Sequence, residues 1–102
     1  MQLTYRKPRK QQMKKVEIYT KSYCPYCNRA KELLRIKGVE FTEYDVTADP
    51  VKEQEMRRRS GRDTVPEIFV DGNLVGGCDD LFDLDEKGEL NGILGLTADP
   101  GE

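Results

Sequence analysis

The chain of 102 residues has no histidine, only three cysteines, and no apolar run approaching the roughly 20 residues of a membrane span. Each shortage excludes something. Without histidine there is no imidazole to act as a general base, and no zinc site of two cysteines and two histidines can form. An odd cysteine count argues against a disulfide framework. The start carries no apolar signal-peptide core, so secretion is not expected and a thiol-reducing, cytoplasmic setting is. No membrane partner is expected either.

The length suits one domain with a single core. Its 36% apolar and 35% charged residues lean polar, but the apolar ones fall in periodic runs, as in a small globular protein. The net charge of −2 hides an asymmetry: residues 1–15 hold Arg6, Lys7, Arg9, Lys10, Lys14 and Lys15 with no acid, so the remainder carries −8. A basic arm of this kind can bind nucleic acid or serve as a targeting peptide. A disordered extension over residues 1–13 is the simpler reading, because "MKKVEIYT" leads two lysines directly into a strand. The expected organisation is that extension, one domain over 14–96 and a frayed tail over 97–102, with no nucleic-acid partner.

"VEIY", Val16 to Tyr19, reads as a strand buried on at least one face. Pro25 suits a first helical position, and Cys27, Ala30, Leu33 and Leu34 recur at helical spacing until Gly38 stops the run. "VEFTEYDV", Val39 to Val46, alternates as a second strand, which a right-handed crossover would place parallel to the first. Asp49 and Pro50 open a second helix that ends at Ser60-Gly61. Its pairs Glu53/Arg57 and Glu55/Arg59 lie at i,i+4, and Arg57, Arg58, Arg59 and Arg62 read as a solvated charged face. Asp71-Gly72 between "EIFV" and "NLVG" predicts a two-residue hairpin turn. Beyond it, Asp79 or Asp80 caps a short helix through Leu81, Phe82 and Leu84, and Leu90, Ile93 and Leu94 suggest a last helical turn. One sheet covered by helices follows.

The stretch "TKSYCPYCNRAKELL" sets Cys24 and Cys27 three apart where strand gives way to helix. They hold a metal or they exchange electrons. A structural zinc site needs four ligands, and this pair has one distant Cys78 and no histidine to join it. A purely structural role suits Cys27 on the apolar face but not Cys24 between Tyr23 and Pro25. Redox chemistry is the economical reading. Residues three apart in a first helical turn share a face, so the two sulfurs can come within disulfide reach. The unpaired N–H groups and dipole of a helix N-terminus favour a thiolate at Cys24, and Lys21 adds positive charge nearby. Cys24 is thus the attacking thiol, and Cys27, a turn deeper, the resolving one.

"CPYC", "TVPEIFV" and "GGCDDL", in this order and spacing from about Lys14 to Leu94, resemble the glutaredoxins of the dithiol class, most closely the small bacterial ones. The resemblance implies an α/β thioredoxin fold, a four-stranded mixed sheet flanked by helices, with glutathione in a groove beside the cysteines. It implies that Cys24 is the nucleophile and Cys27 the resolving cysteine, and that Lys21 and Tyr26 line the glutathione site. Thr64 would complete the motif, Val65 would pair its backbone with the ligand's cysteine, and Pro66 would be a cis proline. Asp79 and Asp80 would hold the γ-glutamyl end, although Asp79 could equally be a simple N-cap. Cys78 is expected to be a passive thiol.

One residue departs from the pattern. Glu53 stands where the family commonly has a glutamine or arginine reaching the glycine carboxylate, so either Lys52 or Gln54 substitutes or the affinity is reduced. The implied activity is glutathione-dependent reduction of protein–glutathione mixed disulfides and some protein disulfides by a monomer. The protein partner is left open and could be ribonucleotide reductase. Glutathione is the expected co-substrate and no metal is expected. The alternative is a dimeric carrier of a glutathione-ligated [2Fe–2S] cluster, a role found chiefly where Gly or Ser follows the nucleophile; Pro25 argues against it by stiffening the loop.

Overall fold

The computed structural model describes residues 14–96; the expected basic extension and frayed tail lie outside the described residues. The elements run β1 (Val16–Thr20), α1 (Pro25–Ile36), β2 (Thr42–Asp45), α2 (Pro50–Ser60), β3 (Glu67–Val70), β4 (Asn73–Gly76), α3 (Cys78–Glu86) and α4 (Leu90–Ile93). The strands form one sheet in the order β2-β1-β3-β4. β1 and β2 are parallel, as the crossover requires, while β3 runs antiparallel to both β1 and β4.

β1 is buried on both faces, which "VEIY" alone left open. Val16 and Ile18 join Ala30, Leu33 and Leu34 of α1, Ile68 and Val70 of β3, Leu81 of α3 and Leu90 of α4 in the larger core. Each of these Val, Leu and Ile side chains contributes about 1.5–3 kcal/mol by leaving water. On the opposite face Tyr19 packs with Val46, Met56 of α2 and Phe69 in a smaller cluster. Glu17 shares that second face and is only 6% exposed. It is tolerated there because Arg59 reaches down from α2 to donate to Glu17 Oε1 at 2.9 Å and to the Tyr19 hydroxyl at 2.8 Å. The same guanidinium lies 4.1 Å from the Phe69 ring centroid. Arg59 therefore does not belong to the solvated face expected of the arginine cluster. Helical spacing turns it inward from Arg58 toward the sheet.

The second strand is also shorter than the alternation of residues 39–46 suggests. Gly38 takes φ 74°, and the Val39 N–H donates to the Leu34 carbonyl at 3.0 Å while the Gly38 N–H donates to Arg35 at 2.9 Å. This is the paired closure that caps a helix C-terminus, with Val39 packed into the core beneath it. Val39 is thereby spent on the helix end, and pairing with β1 starts at Thr42.

The hairpin matches its sequence signal: Val70 pairs with Asn73, and Asp71 and Gly72 take φ 51° and 82°. Asp71 also bonds back to β1 through Lys15, its Oδ1 accepting the Lys15 N–H at 2.8 Å. In α2 the Asp49 side chain accepts the Lys52 N–H at 3.1 Å, and Gly61 closes the helix at φ 73°. No helix among the described residues is long and apolar enough to cross a membrane.

Candidate active site

Cys24 is the N-cap of α1, in extended backbone conformation, with Pro25 at the first helical position. Its sulfur takes the place of the usual capping oxygen: Cys24 Sγ accepts the Cys27 N–H at 3.0 Å. The preceding loop is pinned from the far side, since the Ser22 N–H donates to Thr47 Oγ1 at 2.8 Å and the Thr47 N–H donates to Asp45 at 2.9 Å. Cys24 is partly exposed, whereas Cys27 is 1% exposed. Burial pushes the Cys27 thiol up to about 12, with the neighbouring Cys24 sulfur adding to the rise. The pair is thus asymmetric, an accessible sulfur held by a helix amide and a buried protonated thiol behind it.

Opposite the cysteines, the loop into β3 brings up Val65, whose peptide bond to Pro66 is cis. The Val65 carbonyl oxygen lies 3.8 Å from Cys24 Sγ. From there a cleft of about 230 Å³ runs to the N-terminus of α3, lined by Tyr26, Thr64, Val65, Pro66, Asp79 and Asp80. Six of the residues named from the motifs are therefore gathered on one concavity beside Cys24. Arg62, Gly77 and Cys78 complete its wall. Burial raises Cys78, keeping it a thiol.

Lys21 stands outside the lining of this cleft, with its Nζ 3.6 Å from Glu53 Oε2. One expectation needs correction. The helix cap at the far end is neither Asp79 nor Asp80 but Gly77, and Asp80, three residues on, accepts the Gly77 N–H at 2.9 Å. Gly76 makes room for that carboxylate, because a side-chain carbon there would collide with Asp80. Lys52 is also committed elsewhere. It donates to both Glu55 oxygens, at 3.1 and 3.4 Å, and lies 4.2 Å from the Tyr44 ring centroid.

Sequence reading missed two residues at this site. Arg62 reads in the sequence only as part of a solvated charged face, and its placement at the cleft follows the left-handed turn at Gly61. Glu67 carried a signal, a carboxylic acid inside the otherwise apolar "VPEIFV", that the motif resemblance obscured.

A partly exposed sulfur with a buried thiol three residues on suits exchange with disulfides. The protein is by class a thiol–disulfide oxidoreductase. The glutaredoxin family model matches residues 16–75. Glutaredoxin 3 of Escherichia coli K12 is 55% identical over 82 residues, 80% of this chain and 99% of that protein. A glutaredoxin of Pseudomonas aeruginosa is 46% identical over 82 residues, 80% of this chain and 98% of its own length. Among solved structures, the solution structure of glutaredoxin from Brucella melitensis is 52% identical with a TM-score of 0.70, over 78% of this chain and 87% of that one. A crystal structure of a buckwheat glutaredoxin–glutathione complex is 26% identical with a TM-score of 0.73, over 80% and 77% of the two chains. This chain belongs to the glutaredoxin family, and its four-stranded mixed sheet flanked by helices is the thioredoxin fold.

Proposed function

We propose that the chain reduces protein–glutathione mixed disulfides, and some protein disulfides, with glutathione as the electron donor. The observation that carries this reading is the 3.8 Å approach of Cys24 Sγ to the Val65 carbonyl at one end of a cleft whose other end is a helix N-terminus. An extended tripeptide linked through its cysteine to Cys24 could add to the Val65 backbone as a short strand. Its γ-glutamyl end would then meet α3, where backbone amides favour the carboxylate. Asp80 is already engaged with Gly77, which leaves Asp79 the better placed to accept the ammonium. The complex formed by the buckwheat relative supports the same ligand class.

In the proposed reaction the Cys24 thiolate attacks the glutathionyl sulfur of the mixed disulfide. The new bond joins Cys24 to glutathione, and the substrate protein leaves as a thiolate that takes a proton from water. A second glutathione thiolate attacks that adduct, glutathione disulfide departs and the Cys24 thiolate returns. With protein disulfides Cys24 first forms a mixed disulfide with the substrate. Cys27 then loses its proton to solvent and attacks Cys24 Sγ, the bond to the substrate breaks and its thiolate leaves. Two glutathione molecules reduce the Cys24–Cys27 disulfide, departing as glutathione disulfide. One chain suffices for every step, so a monomer is the proposed working unit.

The test is turnover of a small glutathionyl mixed disulfide coupled to glutathione reductase and NADPH. The reading expects a rate that rises with glutathione. A rate indifferent to glutathione, sustained only by another donor, overturns it.

A further inference from the structure

Beneath the cleft lies a carboxyl group that the chemistry above does not use. Glu67 opens β3 directly after Pro66 and is fully buried, at 0% exposure. Its Oε2 accepts from Thr64 Oγ1 at 3.0 Å. Its Oε1 accepts no hydrogen bond among the described residues. The nearest cation is Arg62, whose NH1 lies 3.7 Å from Glu67 Oε1 and, on its other side, 3.7 Å from Asp80 Oδ2. One guanidinium thus stands between a buried carboxyl and a carboxylate on the cleft wall, in hydrogen-bond contact with neither.

A buried carboxylate with an unpaired oxygen is costly, and two remedies exist: a full partner or a proton. Burial raises the Glu67 carboxyl above its ordinary range, Thr64 and Arg62 oppose the rise, and Asp80 reinforces it. The other packed elements add no further partner. Tyr19, its register partner on β1, commits its hydroxyl to Glu55 and Arg59, and Arg59 of α2 is held by Glu17. Thr64 and Arg62 are thus the two groups that favour the ionised Glu67, and of these Arg62 is the one shared with a carboxylate of the cleft wall.

We infer that Glu67 is a positioning residue that couples ligand binding in the cleft to the uptake of one proton. Resting on the proposed glutathione reading, the argument is that a ligand carboxylate seated at the α3 N-terminus draws Arg62 out of its shared position. Glu67, deprived of its cation, then takes a proton from solvent. Affinity for the γ-glutamyl end accordingly falls as pH rises above the carboxylate range, by at most about tenfold per pH unit for one proton.

The experiment uses S-methylglutathione, which carries the recognition groups and has no thiol to react. Calorimetric titration of the intact chain in buffers of different ionisation heat counts protons taken up on binding. The inference expects uptake by the intact chain in excess of that by Glu67→Gln and by Arg62→Met, and a flatter pH profile of affinity in both variants. An acid with a merely structural role would weaken binding equally at every pH. Should Glu67→Gln fail to fold, the intact chain still decides: carbon NMR of the Glu67 carboxyl should show its titration midpoint rising when S-methylglutathione is added. An unmoved midpoint, or equal proton counts in folded variants, overturns the inference and leaves the glutathione reading standing. Absence of binding at every pH overturns both.

Discussion

Lys21 Nζ lies 3.6 Å from Glu53 Oε2, and the same oxygen lies 3.2 Å from NH2 of Arg57. The lysine three residues before the nucleophile is therefore turned toward a carboxylate of α2. That carboxylate stands where the motif resemblance leads one to expect glutamine or arginine. The pair is partly exposed, so water and salt weaken it; under the proposed function Glu53 would compete with the glycine carboxylate of glutathione for the same cation.

Replacing Glu53 by Gln should release Lys21 and lower KM for a glutathionyl substrate by about 2- to 5-fold, the range expected for one surface ion pair. The gain should shrink in high salt. An unchanged or higher KM at low salt would mean that Lys21 does not reach the ligand.

Gly76 takes φ 125°, a conformation L side chains rarely adopt, and its open face is filled by the Asp80 carboxylate. Gly76→Ala should cost about 1–3 kcal/mol of stability and displace Asp80 from the Gly77 amide. Thermal unfolding and glutathione affinity should fall together. A variant as stable and as tight-binding as the parent would show that the Asp80 position is of no consequence.

Arg59 ties α2 to the sheet. Its hydrogen bond is the largest influence on Glu17, which it holds below the ordinary carboxylate value of 4.5. A carboxyl lowered in the folded state adds stability that is fully present above its unfolded value and lost as pH falls through its folded value. Arg59→Met should strand a buried carboxylate and cost about 3 kcal/mol near neutrality. It should also reduce the loss of stability on acidification, because the protonated Glu17 no longer forfeits a cation. Urea unfolding across the acidic range measures both, and an unchanged acid slope would show that the Glu17–Arg59 pair is not what acid breaks.

Much of this was legible in the chain because the signals were local. Pro25 and Gly38 bound a helix by backbone chemistry alone, Asp71-Gly72 sets a turn that few other pairs adopt, and the cysteine spacing follows from one helical turn. What was not legible depends on tertiary placement. Val39 alternates like a strand residue but is taken by a helix cap. Arg59 looks identical to Arg58 in sequence and differs only because α2 turns it toward Glu17 on the sheet face beneath. The pairing of Lys21 with Glu53 spans 32 positions and has no local mark. Glu67 and Arg62 reveal their relation only once the Pro66 loop and α3 are folded against each other.

The central claim is that Cys24 alone carries the glutathione-linked chemistry, with the buried Cys27 thiol, pushed up to about 12, in reserve to resolve protein disulfides. Turnover of a glutathionyl mixed disulfide by the intact chain, Cys24→Ser and Cys27→Ser, at saturating glutathione with glutathione reductase and NADPH, tests it most directly. The account predicts no turnover by Cys24→Ser and retained turnover by Cys27→Ser, which should lose only the two-cysteine reduction of protein disulfides. A dead Cys27→Ser enzyme or an active Cys24→Ser enzyme would contradict it.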